Sequence, residues 1–126
     1  MFEDTDIVAV DKPEGLAAIP ERCPQAGSLL ERLEAERGEK LYIVHRIDKG
    51  TSGAILFARN AQAHRFLNRQ FEARQVDKAY LALVHGVVGE EGGSNLNVKI
   101  RFGSGRMAVD SQRGKPSGTD FQVVER

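Results

Sequence analysis

Two short apolar runs, LYIV (residues 41–44) and AILFA (54–58), bracket the polar stretch HRIDKGTSG (45–53). This arrangement reads as two strands joined by a turn that must keep its charges accessible. Side chains two apart in an extended segment share a face. Arg46 and Asp48 therefore point one way, and His45 and Ile47 the other, if the strand persists through them. An Arg beside an Asp favours the ionised carboxylate, and an ionised carboxylate can act as nucleophile or base. Thr51 and Ser52 can tie up backbone groups in the turn. The same spacing also fits a surface ion pair at a strand end, with Asp48 serving the turn. Spacing alone leaves both readings open.

The rest of the chain supplies partners for these strands. DIVAVDKPEG (6–15) gives a strand from Ile7 to Val10, closed by a turn at Pro13 and Gly15. In SLLERLEAERG (28–38), Ser28 and Glu31 fit a capping box. Leu29, Leu30 and Leu33 form an apolar stripe there, and Gly38 marks the helix end. Asn60 caps a second helix, AQAHRFLNRQFEAR, with Ala63, Phe66, Leu67 and Phe71 on one stripe. AYLALVHGVV (79–88) reads as a longer apolar strand. NVKIRF and RMAVD, joined by GSG, read as a hairpin, and TDFQVVER (119–126) as a final strand. The expected fold is mixed α+β, a mainly antiparallel sheet with two covering helices. A strand that runs to the last residue suggests a chain cut short, so residues 1–126 are read as one incomplete domain.

Several function classes fall away. The chain has 126 residues, 40% hydrophobic and 29% charged, an ordinary composition for one globular domain. It contains no apolar run of membrane-spanning length, and its acidic N-terminus lacks the basic region of a signal peptide. The single Cys23 has no partner for a disulfide or a CxxC motif, so a reducing, cytoplasmic setting is expected. His45, His64 and His85 are scattered and match no zinc-type spacing, so no metal is expected. HRID lacks the Asp that directly follows Arg in a kinase catalytic loop. No P-loop is present, and GSGRMAV matches only the start of a dinucleotide fingerprint.

Charge is unevenly distributed. Residues 1–40 carry 10 acids and 5 bases, and residues 41–126 carry 13 bases and 8 acids. The two halves could pair with each other, or the basic half could face a polyanion. Arg59, Arg65, Arg69, Arg74 and Lys78 lie on or after the second helix, and a second basic group decorates the hairpin region. Such faces suit a phosphate backbone or simply aid solubility. In VDKAY, Lys78 and Tyr80 share a strand face. Tyr80 could stack on a base, take a proton, or be a half-buried strand aromatic.

FEDTDIVAVDKPEGL, VHRIDKGTSGAILFARN and RQFEARQVDKAYLALVHG, in this order, resemble the RluA-type pseudouridine synthases. The resemblance rests on the HRxDxxTSGxxxxA core with DKPxG and KxYxAxVxG segments around it, and is weakest at residues 18–40 and 89–118. It implies an enzyme that isomerises uridine to pseudouridine in ribosomal or transfer RNA, without cofactor or metal, as a monomer when full length. It further implies Asp48 as the catalytic carboxylate and Arg46 as the side chain that fills the space left by the flipped uridine. Tyr80 would touch the uracil and assist removal of its C5 proton, and Lys78 would neighbour the site. With RNA as the polyanion, the basic face of the second helix makes Arg65 and Arg69 the expected RNA-binding residues. The family also carries a later GRTHQIR-like segment whose first Arg pairs with the catalytic Asp. Residues 1–126 contain no such segment, so the alternative is an RNA-binding remnant or gene fragment lacking part of the site.

Overall fold

The computed structural model describes residues 2–21, 27–100 and 107–125, with the side chains of 95–100 and 107 left aside. The chain divides into two compact units, Met1–Ala79 and Tyr80–Arg126. It is mixed α+β, with antiparallel sheets and two helices, as the sequence indicates.

The first unit is built on a four-stranded antiparallel sheet. Its strands are β1 (Phe2–Glu3), β2 (Ile7–Lys12), β3 (Tyr42–Ile43) and β4 (Gly53–Ala58), in the order β1-β2-β4-β3. Val8 lies opposite Phe57, and Val10 opposite Ile55. These four side chains point to one face and form the centre of the core. Val8, Ile55 and Phe57 are fully buried, and each such burial stabilises the fold by about 1.5–3 kcal/mol.

Helix α1 (Leu29–Arg37) closes that core with Leu29, Leu30 and Leu33. Its ends are those the sequence indicates. Ser28 and Glu31 form a reciprocal capping box, and Gly38 takes the left-handed conformation at φ 67°. Helix α2 (Ala61–Glu72) starts at Asn60, whose side chain accepts from the amides of Gln62 and Ala63. It lies against β3 and β4, but its expected apolar stripe is only partly used. Ala63 is buried, Leu67 and Phe71 are half-buried, and Phe66 is 63% exposed. The two-residue β3 and the neighbouring part of β4 offer too little surface to cover all four positions.

The second unit contains a three-stranded antiparallel sheet of β5 (Glu91–Ile100), β6 (Met107–Val109) and β7 (Lys115–Gln122), in the order β6-β5-β7. The β5–β6 pairing is the expected hairpin, and its connecting residues 101–106 fall outside the described set. Two expectations are corrected. The final strand covers Lys115–Gln122 and stops before Val123, so it begins earlier and ends earlier than the apolar pattern indicates. As an edge strand among the described residues, β7 can tolerate Pro116. Gly92 faces Phe121, and a Cβ at Gly92 would come within 2.7 Å of the Phe121 ring. The second correction concerns residues 79–88, which form no strand. An apolar sequence favours a strand only if a neighbour completes its hydrogen-bond ladder, and no strand among the described residues pairs with this segment. Leu81, Leu83 and Val87 are almost fully exposed there.

Candidate functional site

The site is made where two turns of the first unit meet. β2 alternates in burial, with Val8, Val10 and Lys12 all turned inward. The third inward position is therefore a lysine, and it is fully buried. Its Nζ donates to three backbone carbonyls, Leu16 at 2.7 Å, Pro13 at 3.0 Å and Lys49 at 3.1 Å. An ammonium group has three donors, so Lys12 is saturated without a carboxylate partner. The carbonyl dipoles offset the cost of burying the charge. The Lys49 carbonyl also accepts from the Gly15 amide at 2.8 Å. Gly15 reaches it with φ at 80°, a left-handed conformation that suits glycine. The DKPEG turn is thus fastened to the residue directly after Asp48.

The segment carrying Arg46 and Asp48 has left the sheet. β3 pairs with β4 only at Tyr42 with Ala58 and Ile43 with Phe57. Beyond that point the ladder ends, yet the expected alternation survives in exposure. Arg46 and Asp48 are exposed, Ile47 is buried, and His45 is half-buried. The Asp48 carbonyl accepts from the Thr51 amide at 3.0 Å, which closes the turn.

Residues 46–49 and 17–21 line an open cleft of about 330 Å³. Its second wall is held by the start of α1, where the Leu29 and Leu30 amides donate to the carbonyls of Ala17 and Ala18. Lys49 and Glu21 form an exposed ion pair at 3.2 Å within this lining. Arg46 and Asp48 share the cleft but make no ion pair with each other among the described residues. Asp48 thus offers a carboxylate with no side-chain hydrogen bond among the described residues.

The other expected site residues lie in different surroundings. Arg65 and Arg69 are exposed on α2, one helical turn apart. Lys78 is exposed, and its charge acts on His45. Tyr80 belongs to the second unit and is 62% exposed. Because residues 79–88 form no strand, the expected shared strand face of Lys78 and Tyr80 does not arise. Lys12 was not anticipated as part of the site. Its signal was the inward alternation of β2 carried two residues further. Among the described residues, no group of three or more His, Cys, Asp or Glu side chains could hold a metal ion. No helix among them is long and apolar enough to cross a membrane.

A buried lysine thus fastens an exposed aspartate loop, joining DKPEG to HRID. The family profile for RNA pseudouridylate synthase matches residues 6–126, and the chain belongs to that family. It is 40% identical to the dual-specificity RNA pseudouridine synthase RluA of Vibrio vulnificus strain CMCP6, an alignment that covers all of this chain and 51% of that protein. It is 35% identical to the ribosomal large subunit pseudouridine synthase D of Nitrosomonas europaea, across all of this chain and 38% of that one. Among solved structures, human RNA pseudouridylate synthase domain containing 1 matches with a TM-score of 0.77 and 27% identity, over 98% of this chain and 51% of that one. The chain spans about half the length, or less, of these relatives.

Proposed function

We propose that the full-length protein is an RNA pseudouridine synthase acting on uridine in ribosomal or transfer RNA, with Asp48 as its catalytic carboxylate. The observation that carries this reading is the exposed Asp48 carboxylate, free of side-chain hydrogen bonds among the described residues, on a cleft-lining turn fastened by Lys12 and Gly15. The reaction breaks the N1–C1′ bond of uridine and forms a C5–C1′ bond. It removes the proton from C5 and returns one to N1, so the product is an isomer of the substrate. The base must leave the stack first, at a cost of a few kcal/mol that is smallest in irregular RNA. Asp48 supplies the negative charge that attacks C1′, attacks the uracil ring or takes a ribose proton.

In this reading Arg46, exposed on the same cleft, fills the space vacated by the flipped base. Tyr80 contacts the uracil and assists loss of the C5 proton, with Lys78 nearby. Arg65 and Arg69 bind the RNA backbone. We place the protein in the cytoplasm, as a monomer when full length and without metal or cofactor.

The test is Asp48→Asn in the full-length protein. Asn keeps the shape but can neither attack nor take a proton. Tritium release from C5-labelled uridine RNA should vanish while RNA affinity and thermal unfolding stay near wild type. Normal tritium release would remove Asp48 from the role.

A further inference from the structure

We infer that His45 is a positioning residue: its imidazole takes the place of a backbone carbonyl at the edge of β4 and so sets residues 44–48 off the sheet at a fixed point. The inference rests on Asp48 being the reacting group.

The register makes the substitution visible. Tyr42 faces Ala58 and Ile43 faces Phe57, so the next pair in sequence is Val44 with Leu56. In a continued ladder the Leu56 amide would donate to the Val44 carbonyl. It donates instead to Nε2 of His45 at 3.0 Å. The amide is satisfied, β4 loses nothing, and β3 can end there. Continued in the same register, Arg46 would face Ala54 and Asp48 would face Ser52. That pairing closes a tight hairpin over residues 49–51. The side-chain acceptor holds the backbone away and opens the turn. The Lys49 carbonyl is then available to Lys12 and Gly15.

Two further contacts fix the ring. It stacks on Phe71 of α2, with centroids 4.8 Å apart and planes 16° apart. An Nε2 that accepts must carry its ring proton on Nδ1. Burial favours the neutral ring this requires, and the positive charge of Lys78 acts in the same direction. β4 meets this ring through the Leu56 amide and α2 through the Phe71 ring, and the charge that acts on His45 among the described residues is that of Lys78.

Two variants separate acceptor from ring in the full-length protein. His45→Phe keeps the stack on Phe71 and offers no acceptor. His45→Gln offers a carbonyl oxygen at a similar reach and gives up the stack. His45→Phe should lower kcat by roughly 10- to 100-fold, the scale of an ångström-sized misplacement, with KM for RNA unchanged. His45→Gln should recover most of that loss. Amide exchange at Leu56 should speed up in His45→Phe and not in His45→Gln. Wild-type imidazole nitrogen spectra at neutral pH should show the Nδ1-protonated tautomer, a reading that needs no variant to fold. An Nε2-protonated ring overturns the inference, as does equal turnover in the two variants when Asp48→Asn is inactive. If Asp48→Asn remains active, the catalytic reading fails instead, while the tautomer and exchange results still report on the sheet edge.

Discussion

The side chain of Lys12 and the carbonyl of Lys49, 37 residues apart in sequence, meet at 3.1 Å inside the fold. This contact joins the end of β2 to the turn that carries Asp48, and it turns a buried charge into a fixed scaffold for an exposed one. Both turns are loops, and loops drift unless something rigid holds them. Here the rigid element is the β2–β4 ladder, which runs to Lys12 opposite Gly53.

Replacing Lys12 with Met keeps the volume and removes all three donors. The Lys49 carbonyl retains the Gly15 amide, but those of Leu16 and Pro13 lose the ammonium. We predict a loss of about 2–3 kcal/mol in urea unfolding, the scale for buried acceptors left without a donor. Turnover should fall in parallel because the Asp48 turn keeps only one of its two anchors, the Gly15 amide. Unfolding midpoints equal to wild type would show that water takes over the three bonds.

The folded-state pKa of His45 lies below the ordinary imidazole value, first through burial and then through Lys78. As pH falls, the unfolded chain binds this proton before the folded one does. The stability His45 contributes is therefore fully present above about pH 6.5 and declines as the pH drops toward the depressed folded value. Thermal unfolding of wild type and His45→Gln, compared from neutral to mildly acidic pH, should show a steeper decline in wild type. Parallel curves would mean that the ring titrates as it does in the unfolded chain.

Arg65 and Arg69 sit one turn apart on the exposed side of α2. If both contact phosphates, the double Ala variant should bind RNA more weakly. The slope of log affinity against log salt should shrink by roughly 1.4–1.8, the value for two released counterions. An unchanged slope in a filter-binding titration would assign these charges to solubility.

Local signals were the most legible in the sequence. Ser28, Glu31 and Gly38 bound α1, and Asn60 starts α2, because a cap is settled by residues within one turn of it. The outward placement of Arg46 and Asp48 also followed from alternation, although the ladder beneath them ends at Ile43. What failed depended on distant partners. The run from Ala79 to Val88 announces a face to be covered, but it carries no information about what pairs with it. β5 and β7 run through Gly92, Gly93, Pro116 and Gly118, residues poor in strand propensity, because pairing with each other outweighs that local preference. Lys12 was hidden for a third reason. A lysine at a core position looks like a strand end until the three carbonyls around it are seen.

The pairing of β2 with β4 has a kinetic side. Bringing these strands together encloses residues 13–52, and closing a loop of that length costs on the order of 3 kcal/mol in chain entropy beyond a constant term. Helix α1, capped from within, can form while that loop is still open. The turn bearing Asp48 cannot, because its anchors at Lys12 and Gly15 come from across the closure. No partly folded form with an open β2–β4 pair holds the aspartate in place, so the site and the core are gained and lost in the same cooperative step.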